Sequence, residues 1–421
     1  MSAPRTLPWP LVALFTAGYL APYLLPTTVG RLDSGLPLST TQAGAIGTAL
    51  LLSSATAGFL LASRVERIGV RTLARLGLVL AFLGYGGAAL TDVVPAVVAG
   101  AVLGGFGSGT VTAVAASGIA AVGVPPREGV RTWGTDPHRV TTLGLLGVSA
   151  LAGALYLTIP RLGPGHGLPL AALALTALAV WPFTGRLSGR TAPTRTPAEH
   201  VGRLPRPRAG LLLAAAMPCW SLAQNALWGV SGRIGLGQAH LTEVTVGVVF
   251  AVALGAALVG VVGAGALGPR LGRAVPIGAG TALIAGCIAL SASATSLPAF
   301  AAGEIAWNLA YPVVLSYVIG LAASLDPQGR WAVLVGSAAS LGTAAGPLTG
   351  SLLAGWAGFP AMGLVLGAGL LLIAVPMTAV ALRAGRRALP VVEVAVETPA
   401  VPARHAYDIA SPNSYASTSA R

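Results

Sequence analysis

The chain has 421 residues, 54% of them hydrophobic and only 9% charged, against roughly a quarter charged in a soluble globular protein. No soluble fold hides that much apolar surface, so the chain reads as an integral membrane protein. Its formal charge of +13 rests on 25 basic residues, every one an arginine, set in short gaps between apolar runs; this speaks for membrane topology and against a nucleic-acid-binding face.

A bilayer-crossing helix needs about 20 apolar residues. In chain order such runs lie at 11–30, 43–63, 74–91, 94–122, 141–159 and 167–184, then at 209–230, 243–266, 275–293, 298–322, 331–355 and 360–383. These are twelve expected helices in two sets of six. The opening segment MSAPRTLPWP carries one arginine, and the count works with the first span retained rather than cleaved as a signal peptide. The two cysteines, Cys219 and Cys287, lie in apolar runs and match no metal-ligand spacing, so they read as packing residues.

With an even number of spans, both termini share one side. On that side fall 22 of the 25 arginines: one in the N-terminal segment, sixteen in the gaps at 64–75, 127–139, 186–208, 270–273 and 330, and five in the tail. Only Arg31, Arg161 and Arg233 fall on the other. The positive-inside rule then puts both termini in the cytoplasm and the protein in the cytoplasmic membrane.

The two sets repeat in one orientation. Arg67-Ile68-Gly69 after the second span recurs as Arg270-Leu271-Gly272 after the eighth, and DPHRVTTLG after the fourth recurs as DPQGRWAVLVG after the tenth. Parallel repeats of six spans imply two pseudo-symmetric bundles. The expected organisation is an N-terminal six-helix bundle over 1–184, a basic linker rich in Pro and Thr over 185–208, a C-terminal six-helix bundle over 209–385, and a disordered tail over 386–421.

The gap after the second span reads ASRVERIGVR. It resembles the loop of the major facilitator superfamily with the pattern Gly-x-x-x-Asp-Arg-x-Gly-Arg-Arg. Glu66 takes the acidic position, and Arg67, Gly69 and Arg71 match in turn. Ala62 replaces the leading glycine and Val70 one basic residue. The resemblance covers roughly residues 10 to 385. It implies a conformational latch of Glu66, Arg67, Gly69 and Arg71, with Arg270, Gly272 and Arg273 as its counterpart in the second half. Other family patterns are weak: the fourth span has Ala96 where an arginine is common, and the fifth lacks a Gly-Pro pair. Gly342, Gly346, Pro347 and Gly350 carry such a pattern in the eleventh span instead. The glycines of GAVLGGFGSG, 100–109, lack the Gly-Lys-Ser/Thr ending of a phosphate loop and read as close helix packing.

In the family fold the first, fourth, seventh and tenth spans line a central cavity. The tenth carries the only carboxylate well inside a span, Glu304, in AAGEIAWNLAY. Asn308 and Tyr311 share its helical face and Trp307 flanks it. The seventh offers Gln224, Asn225 and Trp228, and the first Tyr19 and Tyr23 beside Pro22 and Pro26. On the resemblance, Tyr19, Tyr23, Gln224, Asn225, Trp228, Trp307, Asn308 and Tyr311 bind substrate and Glu304 couples transport to protons. The rival reading makes Glu304 a neutral structural residue and the amides bridges between helices. No basic side chain lies deep in a span, so the expected substrate is a small neutral, aromatic or weakly cationic compound. The expected protein is a monomeric proton-coupled secondary transporter in the lipid bilayer, working by export or by uptake symport. No cofactor, metal, nucleic acid or enzyme activity is expected: the five histidines lie in loops or tails, none paired at ligand spacing.

Overall fold

The computed structural model describes residues 9–122, 137–187, 204–326 and 329–386. Among these residues the chain is helical and contains no strand. The apolar runs become α1 (Trp9–Tyr23), α2 (Leu25–Gly35), α3 (Thr40–Ala62), the one-turn α4 (Val65–Ile68), α5 (Val70–Ala89), α6 (Val94–Val122), α7 (Pro137–Leu162) and α8 (Leu168–Val180). The second half holds α9 (Pro207–Arg233), α10 (Glu243–Leu267), α11 (Ala274–Ala292), α12 (Leu297–Leu325) and α13 (Arg330–Arg386).

Two local breaks bring these elements to twelve spans. α1 and α2 form one span bent by 48°, because Pro22 and Pro26 bracket Leu24. Pro26 has no N–H, so the carbonyl of Pro22 lacks its helical donor. α13 is two spans that meet at Gly358, where φ is 81° and ψ 166°. Ten helices pass the length and hydropathy needed to cross a membrane, the α1–α2 pair adds one, and the division of α13 the twelfth.

The linker segment is only partly described: a 3₁₀ turn over Trp181–Arg186 follows α8, and α9 begins at Pro207. Residues 188–203 of the linker expected at 185–208, residues 387–421 of the tail expected at 386–421, and the loop at 123–136 with Asp136 lie outside the described residues.

Within the first half α6 packs on α1, α3 and α5, and α5 packs on α8. Within the second, α13 packs on α9 and α11, and α12 on α10 and α11. The halves meet through α3–α13, α7–α10 and α2–α9. The glycine run of α6 works as packing: a Cβ on Gly105 would sit 2.3 Å from the Leu50 carbonyl oxygen, and one on Gly107 2.3 Å from the Ala81 nitrogen. Gly342 and Gly350 do the same for α13 against the Pro218 and Ala226 carbonyls of α9. Backbones come this close because apolar burial does not drive helix association in lipid and van der Waals contact must.

The repeat is visible in the backbone. The short helix Val65–Ile68 has its counterpart in the 3₁₀ turn Gly268–Leu271, and each is followed by a glycine of positive φ, 97° at Gly69 and 63° at Gly272. Both pairs are 203 residues apart (65 to 268, 69 to 272). A side chain resists that backbone region, which is why glycine stands at both turns.

Candidate functional site

At one end of the bundles the halves are tied together. Arg31, on α2, is buried; its Nη1 donates to the Gly163 and Gly165 carbonyls (2.5 and 3.3 Å) and its Nη2 to Glu243 Oε2 at the start of α10 (2.6 Å). Arg233, at the end of α9, donates to Ser351 Oγ of α13 (2.6 Å) and to the Thr40 carbonyl (3.4 Å), with Asp33 of α2 at 3.9 Å. Trp228 Nε1 donates to the free Pro22 carbonyl at 3.0 Å. Leu348 N donates to Thr48 Oγ1 at 3.0 Å. Two of the three arginines that escaped the charge sorting thus serve as ties between halves, and the spans that carry them run on to Gly35 and Gln238.

Away from that end, tyrosines of the two halves come near one another. Tyr19 and Tyr23 of α1 lie near Tyr311 of α12, in the opposite half. Thr16, by contrast, faces Gly147 of α7 in its own half. Tyr19 is 36% exposed and Trp9 52%. Tyr23 is half-buried beside Ser149, and its carbonyl accepts from Tyr156 Oη at 2.6 Å.

Glu304, two turns before Tyr311 on α12, is fully buried. Its Oε1 meets Ser231 Oγ of α9 at 2.7 Å and Ser291 Oγ of α11 at 2.6 Å, while Oε2 is buried without a hydrogen-bond partner among the described residues. Asn308 spends its amide on the Glu304 main-chain carbonyl at 2.9 Å. Sequence reasoning misses the two serines. Their one signal there is a small polar residue inside an apolar run, which many helix-packing serines share.

The aromatic residues form one connected shell. Tyr311 stacks on Trp220 with centroids 5.4 Å apart, and Trp307 lies 6.2 Å from Tyr311 and 5.5 Å from Trp228. Trp228 continues the chain to Phe250 and Tyr156. The expected site residues divide in two. Tyr19, Tyr23 and Tyr311 come near one another across the halves, with Trp307, Asn308 and Glu304 on the helix of Tyr311. Gln224, Asn225 and Trp228 are instead committed to other helices. Gln224 is fully buried, donates to the Trp220 carbonyl (3.0 Å) and accepts from Trp307 Nε1 (3.2 Å). Asn225 Nδ2 bonds the Ser221 carbonyl and Thr343 Oγ1 of α13. Cys287 is buried, whereas Cys219, expected as a packing residue, is exposed.

Of the expected latch, Arg71 Nη2 donates to the Gly185 and Leu187 carbonyls, both at 2.8 Å, and Arg67 is exposed. Arg273 Nη1 donates to Ser324 Oγ at 2.6 Å. The side chains of Glu66 and Arg270 lie outside the described set. Among the described residues no three His, Cys, Asp or Glu side chains gather as metal ligands.

No protein-family model matches the sequence, and no curated protein matches it. Solved structures do match. The human organic anion transporter MFSD10 superposes with a TM-score of 0.63 at 18% identity, over 89% of this chain and 100% of that one. The nucleoside transporter NupG (D323A mutant) gives 0.69 at 11% identity, over 89% of this chain and 100% of that one. The xylose transporter XylE from E. coli, in an inward-open conformation, gives 0.64 at 16%, over 87% and 94%. At these identities the likeness establishes the fold. The chain is a multi-pass membrane protein with the fold of the major facilitator superfamily, and its described residues form twelve spans.

Proposed function

We propose that this chain is a secondary transporter of the cytoplasmic membrane that exports a small amphipathic organic compound in exchange for protons. The observation that carries the reading is Glu304, a carboxyl wholly enclosed within a span, two turns along α12 from Tyr311, which lies near Tyr19 and Tyr23 of the other half. An ionisable residue at mid-helix costs about 2.5–3.5 kcal/mol on insertion scales, and such residues mark ion and substrate pathways. The cost falls when the group is neutral, so loading a proton lets the halves close over it. Structures of this fold include carriers named for organic anions, nucleosides and xylose with a proton; this supports transport, and supports proton coupling by analogy of fold.

The proposed substrate is neutral, aromatic or weakly cationic. Tyr19 and Tyr311 offer aromatic rings at the interface, and the nearest buried arginines lie at the tied end, where Arg31 bonds Glu243 and Arg233 bonds Ser351 beside Asp33. In this reading both termini and the basic linker are cytoplasmic, the Arg31 end faces outward, and the monomer is the working unit. Uptake by proton symport shares every feature but the direction of the coupled fluxes.

Reconstitution into proteoliposomes with an imposed pH gradient, screened over a compound panel, tests the reading. Opposed proton and substrate fluxes are expected, whereas parallel fluxes would assign symport. Glu304→Gln should abolish uphill accumulation and leave binding or downhill exchange. Uphill accumulation by this variant at the wild-type rate would make Glu304 structural.

A further inference from the structure

The hydroxyl groups around Glu304 contain more contacts than they have protons. Ser231 Oγ lies 2.7 Å from Glu304 Oε1 and 3.0 Å from the Leu227 carbonyl oxygen one turn back on α9. A serine hydroxyl has a single hydrogen, so it donates to one of these at a time. Ser291 Oγ, from α11, approaches the same Oε1 at 2.6 Å. Oε2 has no donor among the described residues.

Two arrangements fit these positions. With Glu304 ionised, both hydroxyls donate to Oε1, the Ser231–Leu227 contact is idle, and Oε2 holds its share of the charge in a buried site with no donor. With Glu304 neutral, Oε1 carries the proton and gives it to Ser231 Oγ, Ser231 gives its own to the Leu227 carbonyl, and Ser291 donates to Oε1. Every short contact is then used, and Oε2 is an uncharged carbonyl oxygen, the kind of group that most readily goes without a partner. Among the described residues no charged side chain bonds Glu304. Tyr156 of α7 and Cys287 of α11 are the titratable groups that feel Glu304. Arg233, two residues beyond Ser231 on α9, is turned to Asp33 and Ser351. The charged residues of α10 and α13 stand at their ends, Glu243, Arg330, Arg383 and Arg386.

We infer that Ser231 and Ser291 form the proton seat of Glu304, with Ser291 a fixed donor and Ser231 a one-proton switch. When the carboxyl releases its proton to solvent, the Ser231 hydroxyl turns from the Leu227 carbonyl to the carboxylate. The present conformation, tied shut at the Arg31 end, is the loaded form. The two serines are positioning residues that set how readily the carboxyl lets its proton go. This rests on Glu304 being the titrating group of the proposed transporter, yet it concerns protonation alone and is readable without a substrate.

The test is infrared titration of the purified full-length protein in lipid. The carboxylic C=O band of Glu304 is identified by its loss in Glu304→Gln. Ser231→Ala and Ser291→Ala each remove a donor to the charged form, where hydrogen bonds are stronger than to the neutral form. Each should make the band persist to higher pH, by about one pH unit. Ser231→Thr keeps the hydroxyl and should titrate close to wild type. Should Ser231→Ala fail to fold, Ser291→Ala carries the same expectation. Unchanged midpoints in the alanine variants, or no Glu304 carboxylic band at any pH, would overturn the inference. If the midpoints move as expected but transport ignores the pH gradient, the seat stands and the coupling role of Glu304 fails. If transport is coupled and the midpoints do not move, the reverse holds.

Discussion

Tyr311 and Gln224 are both polar residues on cavity-type spans, and their surroundings separate them. The Gln224 amide is used twice, by Trp220 and Trp307, and has no exposed surface. Gln224→Leu would leave the Trp307 N–H buried and unpaired, at about 1–3 kcal/mol. It should lower the melting temperature in detergent before it touches substrate affinity. Tyr311 keeps its ring on Trp220 whether or not it has a hydroxyl. Tyr311→Phe should therefore hold stability and weaken substrate binding several-fold, the worth of about 1 kcal/mol of hydrogen bond. Binding measured by calorimetry or tryptophan quenching, beside thermal melts, checks both; equal loss of stability in the two variants would refute the division. Helical spacing puts Gln224 and Trp228 on one face, which is correct geometry. Spacing cannot say whether that face turns to the other half or to a neighbour, since that depends on where α12 and α13 lie. For the same reason Ser231 and Ser291, 60 residues apart in the sequence (231 to 291), give no sign there that they meet at one oxygen.

The helices themselves are legible because length and hydropathy are local properties. Seven of the twelve expected runs fall within single helices or single arms of α13, three more (43–63, 74–91 and 275–293) overrun one helix by one or two residues, 167–184 runs from α8 into the 3₁₀ turn, and 11–30 spans the α1–α2 bend. The bend is foreshadowed by Pro22 and Pro26, and the tight turns by Gly69 and Gly272. At Gly69, φ of 97° is a region a β-branched residue resists. Gly69→Val should slow maximal transport while substrate affinity stays within a few-fold, because the turn lies between α4 and α5 and away from the tyrosines. A large affinity loss at an unchanged maximal rate would contradict this. What hydropathy does not give is the exact end of a span. Arg31 reads as a stop signal, yet α2 continues past it, since the charge is met by Glu243 of α10, 212 residues away.

For the whole molecule, those end contacts decide which end is tied. Arg31 is almost fully buried while Glu243 is 38% exposed, so solvent tempers the pair. Removing one partner should cost the closed end about 1–2 kcal/mol, below the figure for a fully buried pair. Arg31→Gln and Glu243→Gln should each shift spin-label distances measured across the Arg31 end toward longer values, and the double variant should cost less than the sum of the two singles. Unchanged distances would show that α3–α13 and α7–α10 packing alone holds that end shut. Orientation is a separate matter, and cysteine labelling decides it. With the exposed Cys219 first replaced, a cysteine at position 195 should resist an impermeant reagent applied outside intact cells. Labelling there would invert the topology.

The proline break in the first span reaches further than its own bend. Because Pro26 brings no N–H, the Pro22 carbonyl stands open to the Trp228 indole of the opposite half. Give position 26 a hydrogen and the helix reclaims that carbonyl, leaving the indole with nothing to hold. Positions 26 and 228 are thereby bound into one evolutionary unit: among descendants of a common ancestor, lineages that lose the proline should lose the tryptophan with it.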